Sequence, residues 1–166
     1  YIDTKFALIV QWDSFVTDSL AWNPKFLEFD YIGAKWEWHR DGKTVGNGGF
    51  SLRSKKLLET TALDFFSLIP NEPEDVQICR TYHDHLAKNY GIIFSDESVA
   101  DEFSYERSSP LFPSFGFHGL FNIWRHLTDK EVLELIDKLT IRTISSREYI
   151  ELMIQYFHLR KFNVLE

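Results

Sequence analysis

Asp13 stands just beyond the apolar run Phe6-Ala7-Leu8-Ile9-Val10, with Gln11 and Trp12 between. Open α/β sheets bind ligands beyond the carboxyl ends of their strands, and a carboxylate there suits Mg²⁺ or Mn²⁺. Such an ion would neutralise a departing nucleoside diphosphate. The glycines of Val45-Gly46-Asn47-Gly48-Gly49 allow positive φ and a close backbone approach to a ligand, and Asn47 also tolerates the left-handed conformation. Arg53 closes the following Phe50-Ser51-Leu52-Arg53 and could reach a phosphate. Glu74 and Asp75 form an acidic pair, of which one member could take a proton from a hydroxyl. His118, in Phe117-His118-Gly119, offers a neutral imidazole to a metal. Trp12, Tyr31, Trp36 and Trp38 could stack on a sugar face, and Trp36 and Trp38 share one side of an extended segment.

Each feature also has a plainer explanation. Asp13-Ser14 suits a turn or helix cap. The glycine segment suits a tight hairpin turn, and its spacing is neither a Rossmann nor a Walker fingerprint. Acids such as Glu74 and Asp75 are favoured at a helix start by its dipole. Arg53 could sit in an ion pair, and His118 could be a satisfied core residue. His83 and His85 flank Asp84 at a spacing that does not share a helix face, so they are expected to be exposed.

These residues need elements to hold them. The run Phe6 to Val10 has no alternation and is expected to be a strand buried on both faces. A second strand is predicted around Phe29 to Ala34, and a third from Phe50 to Arg53. A helix should open on Ser54 and run to Glu59. A longer one should run from Glu74 to Asn89, with Val76, Ile78, Cys79, Tyr82 and Leu86 on its apolar face. Gly91 to Phe94 is predicted as a short strand, Ser98 to Phe103 as a helical turn, and Ser108 to Ser114 as a Pro/Ser loop. Thr128-Asp129-Lys130-Glu131 reads as a capping box opening a helix to about Leu139. Ser145-Ser146-Arg147-Glu148 reads as another, opening a helix to about Phe162. The domain organisation expected is residues 1–127, holding the chemistry, and residues 128–166, a C-terminal helical extension.

Composition narrows the class. A chain of 166 residues that is 44% hydrophobic can bury a core and is globular. The net charge of −7 opposes non-specific binding to nucleic acid or anionic lipid. One cysteine, Cys79, leaves no internal disulfide and no cysteine-based zinc cluster. That fits a reducing cytoplasm, with peripheral attachment at the inner face of the membrane left open. No apolar stretch reaches the roughly 20 residues of a membrane span, and no signal peptide is evident. The chain begins without Met and runs quickly into a strand, as expected of an excised piece of a larger protein.

Gln11-Trp12-Asp13, Asp30-Tyr31-Ile32-Gly33-Ala34, Val45 to Arg53, Glu74-Asp75-Val76 and Phe115 to Gly119 occur in a telling order. Over about Phe6 to Leu120 the chain resembles a bacterial glycosyltransferase-like family known as a domain of unknown function. It is similar there to the C-terminal half of GT-A nucleotide-sugar transferases. The resemblance implies an α/β fold with a mixed GT-A-like sheet and flanking helices, and a nucleotide-binding portion preceding Tyr1. It implies a hexosyltransferase-like enzyme of polysaccharide biosynthesis. Such an enzyme moves a sugar from a nucleotide-sugar donor to a hydroxyl of a glycan or related acceptor. Asp13 and His118 would then bind Mn²⁺ or Mg²⁺. Gln11 replaces the first acid of the usual Asp-x-Asp and could contact a ribose hydroxyl or a metal-bound water. Asn47, Gly48, Gly49 and Arg53 would lie against donor and acceptor, Trp36 beside the acceptor, and Glu74 or Asp75 would act as base. The alternative is a non-catalytic carbohydrate-binding or scaffold domain derived from a glycosyltransferase. Hydrolysis of a phosphorylated sugar is a weaker third option.

Overall fold

The computed structural model describes residues 2–109 and 112–164, so residues 110 and 111 of the predicted Pro/Ser loop fall outside it. The chain is a mixed α/β protein with two compact units, Tyr1–His118 and Gly119–Glu166. The division therefore falls at His118 and not after residue 127.

The first unit holds β1 (Phe6–Val10), β2 (Ser14–Val16), β3 (Tyr31–Ile32), β4 (Phe50–Ser54), β5 (Ser104–Tyr105) and β6 (Gly116–His118). They form two three-stranded sheets, ordered β1-β4-β3 and β2-β6-β5. In the first sheet β4 is central and antiparallel to both neighbours, with Val10 opposite Phe50 and Tyr31 opposite Arg53. Successive strand residues face opposite sides. Phe50 and Leu52 therefore join Ile32, Phe26, Val99, Phe103 and Phe115 in one core cluster. Tyr31 belongs to a second cluster with Trp36, Leu57, Ile78, Cys79 and Leu86. Ser51 and Arg53 on β4 are buried as well. Polar groups buried on a central strand need partners, and theirs belong to the site described below.

β1 departs from expectation. Leu8 and Val10 are 38% and 49% exposed, because β1 pairs only with β4 among the described residues and so forms a sheet edge. β3 is shorter than predicted. The glycine segment is not a tight hairpin turn either. Residues 33–49 make a long excursion between β3 and β4, closed by a Lys35–Val45 bridge and by the Gly46 N–H donating to the Ala34 carbonyl at 3.1 Å.

In the second sheet β6 is central. β2 runs antiparallel to it, with Ser14 opposite His118, and β5 runs parallel, with Tyr105 opposite Phe117. These directions put the start of β2 and the ends of β5 and β6 at one end of the sheet. The residues just there are Asp13, Glu106 and His118.

Helix α1 (Lys55–Thr60) opens on Ser54, whose hydroxyl accepts from the Leu57 N–H, as the sequence indicates. The predicted helix from Glu74 is broken into α2 (Glu74–Val76), a π-turn (Gln77–Thr81) and α3 (His83–Tyr90), which stops at Gly91 with φ 61°. Ile78, Cys79 and Leu86 form its buried face as expected. Gly91 to Phe94 does not form a strand, since Phe94 makes only a single bridge to Tyr31. α4 (Glu97–Phe103) is capped by Asp96.

In the second unit, α5 (Asp129–Ile136) opens on the capping box at Thr128 and Glu131. A short α6 (Ile141–Ile144) follows, which the sequence did not indicate. α7 (Arg147–His158) is capped by Ser146 alone and stops before Phe162. It packs on the turn of 3₁₀ helix Leu120–Arg125 through a face that buries Leu152 and Tyr156. Among the described residues no helix is long and apolar enough to cross a membrane.

Phe103 is fully buried among Phe26, Phe50 and Phe115. Phe103→Ala is expected to cost about 3–5 kcal/mol of stability. Thr128→Ala removes only an exposed cap and should cost about 1 kcal/mol. Urea denaturation of both variants checks the contrast, and equal losses would contradict this packing.

Candidate functional site

A cavity of about 850 Å³ lies in the first unit. Its wall includes Gln11, Trp36, Asn47, Gly48, Gly49, Arg53, Glu74, Asp75 and His118. Of the candidates named from the sequence, Asp13, Trp12 and Tyr31 do not border this space: Tyr31 is buried in the core, and Trp12 is exposed away from the cavity. Asp13 is buried behind the wall, with Oδ1 3.5 Å from His118 Nε2. No helix opens at Asp13, and β2 begins directly after it, so helix capping does not explain the residue.

The glycine segment does its work by close packing. Positive φ falls on Asn47, at 62°, and not on Gly46, Gly48 or Gly49. The Asn47 carboxamide oxygen accepts from the N–H groups of Gly49 (3.1 Å) and Phe50 (3.3 Å). That bonding directs its Nδ2 to His118 Nδ1 at 3.0 Å. Gly49 lies under the imidazole so closely that a Cβ there would fall 2.1 Å from ring atoms. The Gly49 carbonyl accepts from the Gln11 N–H at 2.8 Å and the Ser14 hydroxyl at 3.0 Å.

Beside Gly48 the two acids are held differently. Arg53 forks onto Glu74, with Nη2 donating to Oε2 at 3.1 Å and Nη1 donating to Oε1. Its Nε donates to the Ser51 hydroxyl at 3.1 Å, and the guanidinium lies 5.3 Å from the centre of the Tyr31 ring. Arg53 is thus in the structural ion pair that the sequence left open, and it holds Glu74 at the cavity edge. Asp75 Oδ2 accepts from the Gly48 N–H at 2.8 Å. Cys79 beneath them is fully buried, and burial pushes its thiol well above the usual range, so it is not a nucleophile.

Around His118 the charges are concentrated. Nε2 lies 3.2 Å from Gln11 Oε1, and Nδ1 lies 3.2 Å from Glu106 Oε1. Burial opposes a charge on the ring, but hydrogen bonds to Asp13 and Glu106 outweigh it and raise the pKa to about 10. The same carboxylates favour any cation at this spot. Glu106 was not found from the sequence. Tyr105-Glu106-Arg107 carries no motif, and only the parallel pairing of β5 with β6 brings it to His118.

Among the described residues no group of three His, Cys, Asp or Glu side chains is arranged to hold a metal ion. Mg²⁺, however, is commonly held by one or two carboxylates together with substrate phosphates. Octahedral neighbours at about 2.1 Å from such an ion stand roughly 3 Å apart. Gln11 Oε1 and Asp13 Oδ1, at 3.2 and 3.5 Å from His118 Nε2, meet that spacing. Asp13, His118 and Gln11 are thus the residues that could hold such an ion.

The aromatic residues sort by exposure. Trp36 is 4% exposed, and its ring fills the space that a Cβ on Gly46 would need. Trp38 is 55% exposed, lies against Trp36 with ring centres 6.3 Å apart, and borders the same cavity. His83 is half-buried and stacks on Phe94 rather than standing free in solvent.

Residues 1–118 match the family described as "protein of unknown function (DUF5672)". The chain belongs to this family. The matched segment coincides with the first compact unit and ends at His118. Neither the curated proteins nor the solved structures include a match to the chain.

Gly49→Ala is expected to displace the His118 ring and to cost about 1–3 kcal/mol by overpacking. Gly48→Ala, whose nearest neighbour would be 3.2 Å away, should be milder. The NMR signals of the His118 ring report the displacement. An unmoved ring in Gly49→Ala would contradict the close contact.

Proposed function

We propose that this protein is a metal-dependent glycosyltransferase with a GT-A-like site, acting on a nucleotide-sugar donor and a hydroxyl acceptor on a glycan. The observation that carries this reading is the division of one cavity. Gln11 and His118 line it beside Gly49, with Asp13 buried behind them, while Glu74 and Asp75 line it beside Gly48. A group-transfer enzyme needs this separation, because charge leaves with the diphosphate on one side while a proton is removed from the acceptor on the other.

In this mechanism Asp13, His118 and Gln11 would hold Mn²⁺ or Mg²⁺. When bound, the ion stabilises the negative charge that develops on the leaving diphosphate. The acceptor hydroxyl oxygen attacks the anomeric carbon, and the bond from that carbon to the donor phosphate oxygen breaks. The hydroxyl proton passes to a carboxylate of the Glu74–Asp75 pair. The other carboxylate orients the acceptor. Arg53 serves by fixing Glu74, not by contacting phosphate. Trp38 supplies the exposed face on which an acceptor sugar stacks, with Trp36 as its support.

The first test is calorimetric titration of the protein with UDP, GDP and CDP, with and without Mn²⁺. Metal-dependent binding of one nucleotide is expected, and Asp13→Asn should abolish it without unfolding the chain. Folded protein that binds none of them would favour a non-catalytic glycan-binding or scaffold role, which the amide at Gln11 would also suit. Glu74→Gln and Asp75→Asn then separate the two acids. The variant of the base should lose about 10²–10⁴-fold in kcat. Trp38→Ala should raise the acceptor KM with little effect on stability, whereas Trp36→Ala should lower stability first. The reverse pattern in thermal melts and kinetics would exclude Trp38 as the platform.

A further inference from the structure

The two nitrogens of His118 meet different company. Nε2 faces the oxygens of Gln11 and Asp13, at 3.2 and 3.5 Å. Nδ1 lies between a donor and an acceptor, Asn47 Nδ2 at 3.0 Å and Glu106 Oε1 at 3.2 Å. Asn47 is not free to present its oxygen to the ring, because that oxygen receives the Gly49 and Phe50 N–H groups. Its amide group therefore donates, which suits an Nδ1 bearing a lone pair. Glu106 accepts, which suits an Nδ1 bearing a proton.

A cation at Nε2 replaces one of the two protons that the carboxylates favour on the ring, and the neutral imidazole that binds it has one protonated nitrogen. If Asn47 prevails at Nδ1, the proton sits on Nε2 and points at Asp13. If Glu106 prevails, Nε2 keeps its lone pair and directs it into the space shared with Asp13 and Gln11. We propose that Glu106 is a positioning residue that selects the Nδ1–H form of His118 and thereby makes Nε2 a ligand for a divalent cation. The proposal rests on the metal site described above and assigns a residue outside it. The Glu106 side chain is only 12% exposed, which shields its bond to the ring from water. Glu106 directly follows β5, whose parallel pairing sets it alongside the end of β6. A carboxylate on the remote nitrogen of a metal-binding histidine fixes the tautomer and raises the basicity of the ligand.

Mn²⁺ alone is the probe. Its affinity is measured by electron paramagnetic resonance of the free ion, and electron spin-echo modulation reports nitrogen bonded directly to Mn²⁺. The unaltered protein should show ¹⁴N coupling from His118. Glu106→Ala should bind Mn²⁺ about 10–100-fold more weakly and lose that coupling, with its circular dichroism unchanged. Should Glu106→Ala fail to fold, Glu106→Gln keeps the side-chain size and should show the same losses to a smaller degree. Unchanged affinity and intact coupling in the folded variant overturn the proposal. Absence of ¹⁴N coupling in the unaltered protein overturns it together with the metal role of His118. Failure to turn over any nucleotide-sugar would count against the transferase reading alone and would leave the Mn²⁺ result standing.

Discussion

The imidazole of His118 rests on the backbone of Gly49 with no room for a side chain between them. This contact joins the two sheets of the first unit. Gly49 leads into the central strand of one sheet, and His118 closes the central strand of the other. The Gly49 carbonyl then takes the Gln11 N–H and the Ser14 hydroxyl, which settles the turn that carries Asp13. One peptide unit thus fixes the distance from Asp13 to His118. Groups that must act on a common ligand gain from being set before it arrives.

The buried charges follow from that joint. Arg53 lies on the polar face of β4 and meets Glu74, while His118 meets Asp13 and Glu106. Removing ions from water is expensive, and burial is tolerated because each ion has an opposite partner. Replacing one member leaves the other uncompensated, so these residues are coupled in stability as well as in chemistry. Any variant at Arg53 therefore needs a folding control before its activity is interpreted.

Local signals were legible where the physics is local. Ser54 and Thr128 announce helix starts, and the α3 face with Ile78, Cys79 and Leu86 shows in its spacing. The grouping of Gln11, Gly49, Glu74 and His118 around one cavity was implied by the family resemblance and not by any spacing among them. The exposure of β1 was not, because an apolar run carries no sign of whether a neighbour covers its second face. The π-turn at Gln77–Thr81 also escaped, since a one-residue change in helix winding leaves the apolar spacing nearly intact. Trp36 and Trp38 looked equivalent by alternation, and only their tertiary neighbours make one a support and the other a surface. Glu106 depends on a strand pairing that its own neighbours do not encode.

Asn47-Gly48 has a chemical consequence beyond its geometry. In flexible chain, the backbone nitrogen after an asparagine can attack the side-chain amide carbon and expel ammonia, and water then opens the cyclic imide to an aspartate or isoaspartate. Glycine hinders that closure least. Here the Asn47 carboxamide is held by two backbone N–H groups, and the Gly48 nitrogen is engaged with Asp75. The native fold therefore protects the pair, and each excursion to the unfolded state exposes it. The resulting acid would place a new negative charge beside His118 in place of an amide donor. Ageing of this protein would thus be written first into its own site, at a rate set by how often the chain opens.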